Sequence, residues 1–114
     1  MSDRVDLSIL VGLMFALAVS FTSSAEPLSM PKQHQVIISA FEFVPSELKV
    51  LSGDTVTWVN KDIVPHNIAI NTIQKALSPE LATGDKFVYK VSTSLSYICG
   101  FHPSMKGKLI VSDE

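Results

Sequence analysis

An all-β sandwich or barrel is the fold class this sequence predicts, on three observations. Apolar and polar residues alternate in short runs, turn signals separate the runs at close spacing, and no long stretch beyond residue 33 keeps a helical period. Gln35 to Val44 reads as extended chain, and Leu48-Lys49-Val50 continues it after Pro45. Ser52-Gly53-Asp54 is a turn signal. The run Thr55 to Val59 follows, with Val56 and Trp58 on one face and Thr55 and Thr57 on the other. Phe87, Tyr89 and Val91 alternate with Lys86, Val88 and Lys90; Leu95, Tyr97 and Cys99 alternate with Ser94, Ser96 and Ile98; Lys108 to Val111 is the last run. Residues 72–82 differ, because Ile73, Ala76, Leu77 and Leu81 have helix-like spacing, so a single helical turn or an irregular excursion is expected there.

The chain has 114 residues, the length of one domain. Its 46% hydrophobic content is swollen by the apolar run Ile9 to Phe21. That run is shorter than the roughly 20 residues a spanning helix requires and falls within the range of a signal-peptide core. Thr22-Ser23-Ser24-Ala25 then puts small side chains at the positions a signal peptidase reads, so residues 1–25 are expected to be an export signal cleaved after Ala25. Arg4 is flanked by Asp3 and Asp6, which leaves an uncleaved membrane tether open as the alternative. Residues 26–33, with Pro27 and Pro31 and no periodicity, read as an N-terminal tail, and residues 34–114 as the single domain.

Nine Lys plus Arg against eleven Asp plus Glu give no basic footprint for nucleic acid and no polybasic stretch for anionic lipid. No membrane insertion of the mature chain is expected. A single Cys cannot form an internal disulfide, the usual support of a small exported domain. Either Cys99 is an inert buried thiol or something holds it, and a bound metal would both occupy the thiol and add folding energy.

Strand parity turns Cys99 the same way as Leu95 and Tyr97, the apolar and therefore inward face, which places the thiol inside one end of the sandwich. His102 and Met105 follow at three-residue steps in Cys99-Gly100-Phe101-His102-Pro103-Ser104-Met105, and Pro65-His66-Asn67 lies upstream after the Trp58 strand. Taken singly each is ordinary: a free Cys is a small hydrophobe, a Met fills core gaps, a loop His is solvated. Together, one thiolate, two imidazoles and a thioether are the donor set of a trigonal copper site with a weak axial Met. Zinc would accept the Cys and both His but would leave Met105 without a reason.

The stretches Gly53 to Asn60, Pro65-His66-Asn67 and Tyr97 to Val111 resemble the cupredoxins, the type 1 blue copper family. The likeness covers about residues 35–112. The short Cys-to-His and His-to-Met steps look most like the amicyanin branch, whereas plastocyanin and pseudoazurin carry a longer His-to-Met step. The resemblance implies an eight-stranded Greek-key sandwich and a periplasmic carrier of single electrons. It further implies one type 1 copper ion on His66, Cys99, His102 and Met105. Asn67, beside His66, is expected to tie the two ligand-bearing loops together. A redox donor and acceptor are expected to dock near His102, across Val64, Pro65, Phe101 and Pro103, with Lys61, Lys106 and Lys108 as either a positive rim or ordinary solvated lysines. The carrier is expected to be a monomer. Gly100, Phe101 and Ser104 replace the loop residues usual in amicyanins, so a methylamine-oxidising partner does not follow from the likeness.

Two other functions compete. A periplasmic copper-binding or delivery protein would use the same donors. A Cys–His nucleophilic enzyme would need an accessible thiolate and a base oriented by a third group, which an inward Cys at a strand end does not offer. The chain is therefore expected not to be an enzyme, and three His cannot furnish a second, catalytic copper centre. His34 and Met30 match no ligand position, while Trp58 and Tyr97 are read as core aromatics.

Overall fold

The computed structural model describes residues 18–20 and 30–112. All but residues 18–20 of the expected export signal, and residues 26–29 of the expected tail, lie outside these residues, and the tail's last residue, Gln33, already belongs to the first strand. Among the described residues there is no helix, and none is long and apolar enough to cross a membrane.

Nine strands follow one another among the described residues: β1 (Gln33–Ser39), β2 (Glu42–Val44), β3 (Glu47–Leu51), β4 (Thr55–Asn60), β5 (Ala69–Ile70), β6 (Lys75–Ala76), β7 (Lys86–Lys90), β8 (Leu95–Ile98) and β9 (Lys106–Ser112). They form two sheets, ordered β2-β1-β4-β7 and β3-β9-β8-β5-β6. The β1–β4 and β3–β9 pairs are parallel and the others antiparallel. The all-β sandwich read from the sequence is therefore the fold. Nine strands stand where the resemblance implied eight, two of them only two residues long.

Alternation fills the space between the sheets. Val36, Ile38, Val56, Trp58 and Leu109 are fully buried, with Phe43, Val50, Val91 and Tyr97 beside them. Burying each of the larger side chains contributes about 1.5–3 kcal/mol relative to exposure. Trp58 meets Tyr97 in a T-shaped contact at 5.3 Å, and Phe43 meets Tyr97 at 4.8 Å. These contacts account for Trp58 and Tyr97 as core residues. Burial also pushes the Tyr97 hydroxyl up to about 12. Residue 107 must be glycine, because a Cβ there would run into Cζ and Oη of Tyr97 across the β8–β9 pair, where Tyr97 faces Gly107.

One segment departs from the sequence reading, and a second takes one of the two forms expected of it. The expected run Gln35 to Val44 is folded back on itself: Ala40 and Phe41 form a two-residue turn, and β2 pairs antiparallel with β1. Neither residue is a turn former, which is why the hairpin was hidden. Residues 72–82 are an irregular excursion carrying the short strand β6, not a helical turn. The apolar residues at helical spacing there serve separate ends, with Leu81 bridging back to His66 while Ile73 stays exposed.

Candidate metal centre

His66 sits in the loop between β4 and β5, which β4's last residue shapes. Asn60, fully buried, donates from Nδ2 to the carbonyls of Val64 and Leu81 at 2.9 Å each, and its Oδ1 accepts the Asp62 N–H at 2.9 Å. His66 itself exchanges backbone hydrogen bonds with Leu81 at 3.1 and 2.8 Å. A loop pinned at this many points holds its imidazole in one place, at 0% exposure.

The other ligand loop is a tight hairpin continuing the β8–β9 ladder. The Cys99 N–H donates to the Met105 carbonyl at 3.1 Å, the His102 N–H to the Cys99 carbonyl at 3.2 Å, and the Met105 N–H to the His102 carbonyl at 2.8 Å. Each of the three sequence-predicted residues on this loop is thus tied to the other two through the main chain. Cys99 is fully buried, as strand parity requires, Met105 is 4% exposed within the core, and His102 is half-buried at the rim.

The loops bring His66, Cys99 and His102 together, with one ligand atom from each inside 4.8 Å of the others. Cys99 Sγ lies 3.5 Å from His66 Nδ1 and 3.8 Å from His102 Nδ1. Nitrogen and sulfur ligands sharing one ion at trigonal angles stand roughly 3.8 Å apart, given metal–nitrogen and metal–sulfur lengths of about 2.1 and 2.3 Å. The observed separations suit a shared ion, and both rings turn the same nitrogen toward the thiol.

One residue absent from the sequence reading explains the His66 orientation. His66 Nε2 lies 2.9 Å from Asp62 Oδ2. Asp62 is held below the usual carboxylate range, chiefly by the Phe41 N–H donating to it and further by His66. A carboxylate can only accept, so Nε2 carries the proton and Nδ1 presents its lone pair beside the sulfur. In the sequence Asp62 looks like a turn residue. The available signal was its place four residues before His66.

The tie expected of Asn67 is present: its Oδ1 accepts the Gly100 N–H at 2.6 Å, joining the two ligand loops. Of the residues given no role, His34 pairs with Asp54 and Met30 is 81% exposed. Around the rim Phe101 is 49% exposed, with Pro65 and Pro103 exposed and Val64 half-buried; Ile63, which sequence reasoning passed over, is the most open apolar side chain there at 89%. Lys61, Lys106 and Lys108 are exposed.

Residues 10–111 match the family described as the cupredoxin-like domain. The chain is 32% identical over 80 residues to the amicyanin of Paracoccus versutus, covering 65% of this chain and 61% of that protein, so the match spans less than two thirds of its length. It is 35% identical over 86 residues to the plastocyanin of Scenedesmus fuscus, covering 63% and 88%. Among solved structures it is similar to a novel purple cupredoxin from Nitrosopumilus maritimus, at 37% identity and a TM-score of 0.62, covering 69% of this chain and 99% of that one.

Proposed function

The chain belongs to the cupredoxin-like domain family, and from that premise we propose that it is an exported, periplasmic carrier of single electrons with one type 1 copper site, and not an enzyme. The observation that carries this reading is the convergence of His66 Nδ1, His102 Nδ1 and Cys99 Sγ at separations suited to one ion.

Copper bound here supplies reversible one-electron chemistry between its cuprous and cupric forms. His66, Cys99 and His102 would hold it, with Met105, next along the same loop, as a fourth and weaker donor. What the chain itself contributes is fixity. The buried loop at His66 and the main-chain bonds at Cys99, His102 and Met105 leave the donors little room to rearrange. Asp62 keeps the proton of His66 on the nitrogen facing away from the site. Asn67 holds the separation between the loops. The half-buried ring of His102, amid Phe101 and Pro103, faces a redox partner at an apolar rim.

A visible spectrum of the purified chain after copper loading tests the reading. An intense blue or purple thiolate band, bleached by reductant and restored by oxidant, is the expected result. A colourless protein that holds only cuprous ion and yields it to a chelator would overturn electron carriage in favour of copper delivery.

A further inference from the structure

The turn between β1 and β2 is built from residues that its backbone disfavours. Ala40 and Phe41 have φ of 52° and 61°. Two consecutive left-handed residues make the two-residue hairpin turn that Asn-Gly forms readily. A Cβ crowds the backbone there, and for a bulky side chain the conformation is an outlier. Such strain persists only where the surroundings over-determine it, and it clusters at functional sites. Burial of the Phe41 ring does not account for its choice, since the residue remains 48% exposed.

The ring's contacts do account for it. Phe41 stands T-shaped to His66 at 5.6 Å between centroids and T-shaped to His102 at 5.1 Å. It therefore touches both imidazoles, which belong to different loops. Its N–H donates to Asp62 Oδ2 at 2.9 Å, the same oxygen that lies 2.9 Å from His66 Nε2. One carboxylate oxygen thus couples the turn to the His66 ring, while the aromatic ring couples it to His102.

We propose that Phe41 is a positioning residue of the metal centre: its ring, held over His66 and His102 by a strained turn, fixes the orientation of both imidazoles. This rests on the copper reading above. The sandwich does not need the turn in this form, because a glycine-containing turn would close the same hairpin without the steric conflict. A ring braced against both imidazoles requires a side chain at residue 41, and therefore the unfavourable φ.

The test compares the full chain with three variants. Replacing Ala40→Asn together with Phe41→Gly relieves the turn and removes the ring; Phe41→Leu keeps an apolar side chain without aromatic edges; Phe41→Tyr keeps the edges. The readouts are the thermal midpoint of each metal-free chain, the cuprous affinity by chelator competition, and the reduction potential. The double variant is expected to unfold no earlier than the parent when metal-free, yet to hold cuprous ion about tenfold more weakly, the scale of losing an orienting neighbour of a metal ligand. Leu is expected to share the weakening and the altered potential, and Tyr to restore parental values. Parental affinity and potential in both the double variant and the Leu variant would overturn the proposal, as would an earlier metal-free midpoint in the double variant. Absence of the blue or purple band in the parent chain would instead sink the copper reading itself, so the two failures are distinguishable.

Discussion

Strand β4 has a histidine–aspartate pair at each end, and only one of them is a candidate site. Asp54 precedes the strand and meets His34; Asp62 follows it and meets His66, with a 2.9 Å Nε2–Oδ2 separation in both. The strand's six residues set the pairs about 20 Å apart. At the Asp54 end the carboxylate also accepts the N–H groups of Lys32 and Leu51, fastening the starts of β1 and β4 to the end of β3, and the His34 side chain is 20% exposed. At the Asp62 end the imidazole is wholly buried and its second nitrogen faces a thiol. A carboxylate orienting a histidine is therefore a general device. What the other nitrogen faces decides whether the pair serves a strand junction or a metal.

The most severe way to break that contrast is to remove the sulfur. Cys99→Ser leaves the His66–Asp62 pair with no thiol beside it, as at His34, and is expected to abolish the blue or purple band altogether; retention of the band in a copper-loaded spectrum would refute the thiolate assignment.

Next in size is the exchange of roles between the two carboxylates. Asp62→Ala is expected to weaken copper binding about 10- to 100-fold, because the His66 ring loses the acceptor that sets its tautomer. Asp54→Ala is expected to leave affinity and spectrum unchanged while lowering the thermal midpoint by several degrees, having stranded two backbone N–H groups. Chelator competition and melting curves on both variants check this, and the contrast fails if the two lose affinity equally.

Acid sharpens the same comparison more gently. The bond to His34 and the backbone N–H groups of Leu51 and Lys32 hold Asp54 down at about 2, against a usual 3.8. A depressed carboxylate stabilises the fold fully above 3.8, and that contribution fades as pH falls from there toward 2. The melting curve of Asp54→Asn should accordingly depend less on pH than the parent's across this window. Parallel curves would show that Asp54 is not a source of the acid sensitivity.

The smallest effect concerns Met105, the donor proposed beside the three clustered residues. Met105→Gln is expected to keep copper bound and to lower the reduction potential, measured by redox titration of the visible band.

Much of this was legible before any coordinates. Strand parity alone put Cys99 inside with Tyr97, because a two-residue period leaves no other choice once Tyr97 is apolar and buried. The steps from Cys99 to His102 to Met105 were readable because the three sit on one hairpin, where sequence distance is nearly spatial distance. Asp62 and Phe41 were not readable in the same way. The β1–β2 turn brings Phe41 to Asp62 from 21 residues away, and it carries no Gly or Asn to announce itself. For residues 72–82 the spacing left a helical turn and an irregular excursion both open, and the excursion is what forms, since Leu81 is buried for its bridge to His66 and Ile73 is not buried at all. Local pattern reports which face a side chain takes. It does not report which distant loop will meet it.

The Cys99–Met105 hairpin runs without interruption into the β8–β9 ladder, where Ile98 faces Lys106 and Tyr97 faces Gly107. An added residue that bulged out between Cys99 and Met105 would loosen the bonds that hold His102, whereas one that slid β9 by one place would swap its inward and outward side chains and set a bulkier neighbour against the Tyr97 ring. A longer loop grafted onto this scaffold would therefore leave the strand register intact only by letting the extra chain swell outward, at the expense of the hold on the half-buried ring of His102.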